Sequence, residues 1–558
     1  MPYFPFGVLD ARGRPWATLL CSPSTTVLDR ETLRVCAAVP AGDPFAEALR
    51  ATAGAPAHTR LFAGVGVDFS NRRRNKLNGY VQSAALTPQV PDAPAMSRLE
   101  LVLRTTENMG NCPKYITVRK LVPHARDPAP PAALGRTLNA AARALLEACS
   151  TAFIASRHLD EHNAADSDMG FNHRGGPPGF VRYYEDASNV GHLVLPDYSG
   201  NQLFQTLGNV QTDPLVGLVL LDFGSGDALH VTGRARNLFG AEAEALLPRA
   251  ATATDIALDE VVLMRSALQL RLDGPESFSP YNPPLRLLAS ELAVAGRPLV
   301  AVGETSATLV AVTRDCSTVS TFTFALSAPA DVPPGGYAVF DFKDVLQLGY
   351  QHMNNAQPRT VNDDLVRTWT VSRKGDDSMT LAVTVKRQRG GLVSPVLHDI
   401  PPSLDGVALQ IKLKGYGGGM SCFADDGSLP QQTWLAAGVG ITPFLALYRH
   451  LAAQPGRRFS ATLLFSCRGD EALLARAFAE DPRVRVRLFD STAAAAAAAG
   501  GLAVLPRRLT ADDVAGVAGV AASRALVCGP QAYQSSARAW LQQAGVPPAQ
   551  IIAESFNF

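Results

Sequence analysis

At 558 residues, 47% hydrophobic and 18% charged, the chain is too long for one hydrophobic core, and roughly three to five domains are expected. A net charge of +1 and an aromatic content of only 7% argue against a nucleic-acid partner, which would need a basic or base-stacking surface. Eight cysteines stand at 21, 36, 112, 149, 316, 422, 467 and 528, none spaced as C-x-x-C. That leaves no zinc-knuckle or plant-type iron–sulfur pattern, so no metal is expected. Dispersed cysteines suit a reducing compartment. The opening Met-Pro-Tyr-Phe-Pro-Phe has no basic region followed by an apolar one, and no apolar run reaches the ~18 to 20 residues of a membrane span. A soluble, cytoplasmic protein is the expectation.

In chain order, the first feature is an internal echo. Gly64-Val-Gly-Val-Asp-Phe69 precedes a polar stretch and Leu77-Asn-Gly79, and Leu218-Val-Leu-Leu-Asp-Phe223 precedes a polar stretch and Val231-Thr-Gly233. The Asp-Phe pair keeps the same distance from the glycine, and each copy reads as strand, tight turn and returning strand. A tandem repeat of this kind can stand in for a homodimer; homodimerisation of the chain itself stays open. Short strands with Gly and Asp turns through 1–250 predict β-barrels. The Pro-rich stretches Pro123–Pro131 and Gly274–Pro284 read as linkers.

Beyond them, Thr321–Leu326 and Met379–Val385 alternate as barrel strands. From Gln432 onward strands and helices alternate: Trp434–Ala437, a helix from Pro443, then Ala461–Ser466, Arg483–Leu488 and Ala525–Cys528. That rhythm predicts a doubly wound parallel sheet. The alanine run 493–499 reads as a surface insertion with no chemistry of its own.

Five short signatures then follow in order. Arg367-Thr-Trp-Thr-Val-Ser372 resembles the Arg-x-Tyr-Ser/Thr box of ferredoxin–NADP reductase-like enzymes. The resemblance implies that Arg367 pairs with flavin phosphates, Trp369 packs on the isoalloxazine, and Thr370 hydrogen-bonds flavin N5. A guanidinium fork suits a pyrophosphate. Trp369 replaces the usual tyrosine and loses its hydroxyl. Gly390-Gly391-Leu392-Val393-Ser394 precedes a short helix expected near Pro395. The resemblance implies that this stretch holds the flavin pyrophosphate, a role its backbone N–H groups suit, and so implies FAD as the cofactor; taken alone, Gly-Gly is simply a turn.

Ala437-Gly438-Val-Gly440-Ile-Thr442-Pro443 joins a strand to a helix, with Thr442 read as an N-cap hydroxyl and Pro443 as a first-turn residue. A dinucleotide pyrophosphate fits that helix start. Ser466 and Arg468 end the next strand, where the adenosine ribose would lie; Arg468 leans the reading toward NADP without excluding NAD. Cys528-Gly529-Pro530 resembles the family's Cys-Gly-Pro-x-x-Met box beside the nicotinamide, with Tyr533 in place of methionine. Glu554, Phe556 and Phe558 match its Glu-x-Phe ending near the flavin ring. Thr370, Cys528 and Glu554 are the candidate catalytic residues.

In the N-terminal half, Phe171-Asn-His-Arg-Gly-Gly-Pro-Pro-Gly-Phe-Val181, Leu195–Asn201, Thr206–Asn209 and Asn111-Cys-Pro-Lys-Tyr-Ile116 resemble pyridoxamine 5′-phosphate oxidase-like split barrels, which mostly bind FMN. His173 and Arg174 are the flavin or substrate candidates there. Arg72, Arg73, Arg74 and Lys76 form a second basic cluster, read equally well as a solvated hairpin. Met169–Arg174 departs from the family's Asp-x-Ser-x-Arg-Gly pattern.

The expected fold is therefore multidomain β and α/β. A degenerate split-barrel unit (1–125) and a second, pyridoxamine-phosphate-oxidase-like split-barrel unit (135–270) precede an antiparallel FAD-binding barrel (285–425) and an NAD(P)-binding doubly wound sheet (430–558). The expected function is passage of a hydride from NAD(P)H to FAD, then of electrons to FMN or a substrate in the split barrel. The alternative is an FAD-only reductase for a separate protein acceptor, its N-terminal half a dimerisation or flavin-sensing module. The final acceptor, small molecule or protein, stays open.

Overall fold

The computed structural model describes residues 1–90, 93–110, 112–125, 127–160, 162–163, 166–294, 300–423, 428–454, 458–492, 502 and 504–554. The chain is multidomain and mostly β, with an α/β part, and falls into two compact units. The N-terminal unit comprises Met1–Ser290 and Tyr350–Asp363; the C-terminal unit comprises Glu291–Gly349 and Asp364–Phe558.

Two large antiparallel sheets build most of the N-terminal unit, with Leu121–Pro123 and Leu270–Leu272 pairing as a small third one. The first takes its strands, in chain order, from Tyr3–Leu9, Pro15–Cys21, Ser24–Val27, Thr32–Pro40, Leu61–Asp68, Arg73–Val90 and Ala93–Gly110. The second takes Thr151–His158, Asp168–Gly175, Arg182–Glu185, Gly191–Pro196, Leu215–Asp222, Asp227–Phe239 and Thr252–Met264, and Ala132–Gly135 joins the last of these. Across each large sheet the strands lie in the same permutation: second, first, fifth, sixth, seventh, fourth, third. The internal echo is thus a repeat of topology.

The repeat extends to single residues. Asp68 pairs with Arg73 and Phe62 with Gly79 in one hairpin, as Asp222 pairs with Asp227 and Val216 with Gly233 in the other. Register then shifts at Asn78/Gly79 and at Thr232/Gly233 toward the next strand. The glycines are required there. A Cβ at Gly79 would stand 2.0 Å from the Arg104 carbonyl oxygen, and one at Gly233 would stand 2.3 Å from that of Ala257. The aromatic residues of the two Asp-Phe pairs meet: the Phe69 and Phe223 rings lie 5.3 Å apart, edge to face. Buried Arg119 spans both, 5.7 and 4.9 Å from their centroids.

In the C-terminal unit, Val300–Arg314, Val319–Leu326, Thr380–Lys386, Val366–Lys374, Tyr337–Asp341 and Gln410–Gly417 close a six-stranded antiparallel barrel in that order. A six-stranded parallel sheet follows, ordered Val504–Leu505, Val484–Phe489, Ala461–Ser466, Gln432–Ala437, Arg524–Cys528, Ile551–Glu554. Its central strands are buried on both faces: Trp434, Leu463 and Leu526 enter one apolar cluster, while Leu435, Leu464 and Val527 enter another. Burial on both faces explains why these strands read as continuous apolar runs. Strand order reverses between Gln432–Ala437 and Arg524–Cys528, and such a switch point opens a crevice at the carboxyl ends of the strands. No helix among the described residues is long and apolar enough to cross a membrane.

Candidate active site

The crevice is present. A cleft of about 760 Å³ opens at the switch point, and its wall includes Gly438, Gly440, Ser466, Arg468, Gly529 and Pro530. Gly440 has no room for a side chain, because a Cβ there would lie 2.5 Å from the Cys528 carbonyl oxygen. Gly438 holds φ at +53°, which favours glycine. Both glycines keep the backbone low where the strand gives way to the helix Thr442–Ala452.

Thr442 does not cap that helix. Gly438–Ile441 forms a 3₁₀ turn that runs straight into it, so Thr442 is itself helical (φ −61°, ψ −40°) and buried. A cap needs an extended backbone, and the extended residue here is Ala437 (φ −133°, ψ 124°). Pro443 lies in the first turn as expected.

Cys528 and Glu554 come together by sheet register, as direct neighbours on adjacent parallel strands. Gln534 pins both ends, its Nε2 donating to the carbonyl oxygens of Gly529 (2.7 Å) and Glu554 (2.8 Å). Burial first, and then the Glu554 charge, push the Cys528 thiol upward, so it stays protonated. It is a fully buried, neutral thiol packed behind Gly529 and Pro530, which do line the cleft, and no thiolate nucleophile. Tyr533, in the methionine position of the resembled motif, donates its hydroxyl to the Ala436 carbonyl (3.1 Å). Phe556 and Phe558 lie outside the described residues, as do Asn111 and the alanine run 493–499.

The strand Val366–Lys374 carries Arg367, Trp369 and Thr370. Trp369 is half-buried, its ring 5.5 Å from that of Phe340 and 5.7 Å from that of Phe342, so the barrel's own aromatics set its orientation. Thr370 is buried opposite Tyr337. Arg367 donates from Nη1 to the Val366 carbonyl (3.0 Å). The helix Thr442–Ala452 packs against this strand, and Arg449 Nη1 donates to the Ser372 carbonyl at 2.5 Å. Two signatures some 70 residues apart are thereby held side by side.

In the second signature, Gly390 has φ +72° and the Gly391 N–H donates to the Gln388 carbonyl (3.0 Å). The helix is Val393–Asp399, so it starts two residues before Pro395, with Leu392 preceding it. Ser394 Oγ accepts from the Gln388 N–H (2.9 Å), closing the loop on itself.

Sequence reasoning missed several residues of the cleft. Arg508 faces it together with Arg468, and so do Trp540 and Lys386. Lys386 Nζ pairs with the buried Glu471 carboxylate, whose other oxygen accepts the Arg468 N–H at 3.2 Å. These residues come from separate elements, and no local pattern marks them.

In the N-terminal unit, His173 and Arg174 lie on the strand Asp168–Gly175. Arg174 pairs with Asp197 at 2.9 Å. The His173 ring meets Phe153 edge-on at 5.2 Å, and its Nε2 is buried without a partner. Burial, aided by Arg119 and Arg174, pulls its pKa down to about 3, so the ring is neutral. Part of the residue still reaches solvent, and it is the nitrogen that is shut away. The basic cluster is no solvated hairpin throughout. Arg73 is exposed, but Lys76 is 2% exposed, bonded to Gln205 Oε1 and to Asn172 Oδ1 (3.2 Å), with its pKa pulled down by burial to about 8.

No family model and no curated protein matches the chain. Among solved structures, it is similar to a flavohemoglobin from Malassezia yamatoensis with bound FAD and heme (18% identity, 48% of this chain and 63% of that one, TM-score 0.35). It is also similar to the flavohem-like FAD/NAD-binding domain of nitric oxide dioxygenase from Vibrio cholerae (20%, 44% and 97%, TM-score 0.34). A third is the cytochrome b5 reductase domain of Ulva prolifera nitrate reductase (16%, 46% and 98%, TM-score 0.34). The chain thus spans less than two thirds of the flavohemoglobin. None of these likenesses is close enough to decide a function.

Proposed function

We propose that the chain is an NAD(P)H-dependent flavoprotein oxidoreductase whose C-terminal unit takes FAD against the strand Val366–Lys374 and a nicotinamide dinucleotide in the switch-point cleft. One observation carries the reading: the helix rising from the Gly438–Gly440 turn packs on the strand bearing Arg367, Trp369 and Thr370. Bound FAD would supply a hydride acceptor that can release electrons singly or in pairs. Arg367 offers the fork for the flavin phosphates, and the Thr370 hydroxyl is the proposed partner of the flavin ring. Gly391, Leu392, Val393 and Ser394 would border the pyrophosphate. The glycines at 438 and 440 let a dinucleotide approach the backbone closely. Gly529 and Pro530 would wall the nicotinamide end, with neutral Cys528 and its strand neighbour Glu554 packed behind them. Arg468 and Arg508 give the adenosine end two guanidinium groups, which favours the 2′-phosphate of NADPH.

Electrons would then pass to an acceptor held by the N-terminal half. A substrate suits that half better than FMN, because Arg174 and Lys76 are already engaged by Asp197, Gln205 and Asn172. A flavin phosphate would have to displace those partners.

Anaerobic titration of the full-length protein tests the reading. NADPH is expected to bleach the bound flavin's visible band at one equivalent. Combined Arg468→Leu and Arg508→Leu substitution should raise the KM for NADPH by about tenfold or more and spare NADH. A bound flavin that neither nucleotide reduces would overturn it.

A further inference from the structure

A second cavity, of about 120 Å³, lies in the N-terminal unit, and Arg174, Asp197 and Gln205 share its wall with residues that the reductase chemistry does not use. Half-buried Cys112 stands in its wall. The Cys112 sulfur lies 3.7 Å from Nε2 of His352, and the other ring nitrogen, Nδ1, lies 3.0 Å from the Gly200 carbonyl oxygen. A carbonyl oxygen only accepts. Nδ1 therefore carries the ring proton and Nε2 turns its lone pair to the sulfur, so the thiol donates to His352. Nucleophile, base and the group that orients the base stand in sequence.

The stretch Tyr350–Asp363 that delivers His352 is firmly anchored within this unit. Tyr350 Oη donates to the Gly200 carbonyl (2.6 Å), Tyr281 Oη donates to Asn355 Oδ1 (2.7 Å), and Asn362 Nδ2 donates to Tyr115 Oη (2.8 Å). The Arg74 and Lys114 cations lie within coulombic reach of the sulfur.

Two further groups in the same wall point to a ligand. Tyr198 is 9% exposed, and its hydroxyl is buried with no hydrogen-bond partner. The neutral ring of His173 presents a second unpartnered polar atom, Nε2. Polar atoms buried in this way are normally satisfied, so the cavity is short of an oxygen-bearing guest. Tyr115 and Phe180 add flat apolar surface.

We propose that this cavity binds a small α,β-unsaturated carbonyl compound and that Cys112, with His352 as its base, adds to it. The thiol proton passes to His352 Nε2 and a sulfur electron pair forms the S–C bond at the β-carbon. The C=C π pair moves onto the carbonyl oxygen as an enolate, which the Tyr198 hydroxyl hydrogen-bonds. His352 then returns the proton to the α-carbon. Nothing is oxidised or reduced, and reversal releases the compound. The inference stands independently of the reductase reading.

The test treats the full-length protein with 2-cyclohexen-1-one or iodoacetamide and follows each cysteine by peptide mass spectrometry. Cys36 and Cys316, also half-buried, are the internal references. Cys112 is expected to take up the enone at least about tenfold faster than either. His352→Gln should slow both reagents at Cys112 by a similar factor, whereas Tyr198→Phe should slow the enone alone. Enone addition at Cys112 no faster than at Cys36 and Cys316 in the unaltered protein would overturn the proposal without recourse to any variant. A His352→Gln protein labelling at the original rate would remove the base, and an unchanged enone rate in Tyr198→Phe would remove the carbonyl site.

Discussion

His173 has a pH signature that can be measured directly. An imidazole in the unfolded chain takes a proton near its ordinary value of 6.5, but the buried ring refuses one until about pH 3. Between those values the unfolded state binds more protons than the native one. The contribution of His173 to stability is therefore complete above about pH 6.5 and declines as pH falls toward 3, by up to about 1.4 kcal/mol per pH unit. Urea unfolding at about pH 7 and about pH 5 should show that decline, and His173→Gln should flatten it. Parallel losses in the two proteins would show that the ring is solvated. Cys528 teaches the same lesson at the residue scale. The motif singled the residue out, but only its surroundings reveal a protonated thiol, because protonation depends on burial and on Glu554 across the register.

At the scale of elements, the paired glycines at the two bulges make the most direct claim. Gly79→Ala and Gly233→Ala each press a methyl group onto a partner-strand carbonyl, and each should cost about 1–3 kcal/mol. Gly54→Ala, where a Cβ meets nothing within 4 Å, should cost little. Thermal unfolding of the three variants checks this, and a benign Gly233→Ala would refute the bulge's role. Both hairpins were legible in the sequence because a strand's alternation and its turn residues are local. So were the strand–turn–helix at Gly438 and the central parallel strands, whose apolar runs follow from burial on both faces. The 3₁₀ entry to the helix at Thr442 was not legible, since Thr-Pro after glycines fits a cap equally well. Contacts that depend on chain return were also hidden: Lys386 with Glu471 spans 85 residues, and Cys112 with His352 spans 240.

At the scale of the whole molecule, two sheets with one strand permutation share a chain with a closed barrel and a parallel sheet. The short echo around the Asp-Phe pairs was the only trace of that duplication in the sequence. The rest of the repeat has diverged in residues while keeping its topology, because a sheet face asks for apolar alternation and not for particular side chains. The C-terminal turns were more legible, since a glycine at a close approach such as Gly440 leaves a fixed residue where a core valine does not. The central claim is that this unit is built for FAD. The most direct measurement is the flavin released on denaturing the purified full-length protein, identified and counted against the chain. One FAD per chain is expected; a protein that carries no flavin and takes up none when FAD is added would contradict the claim.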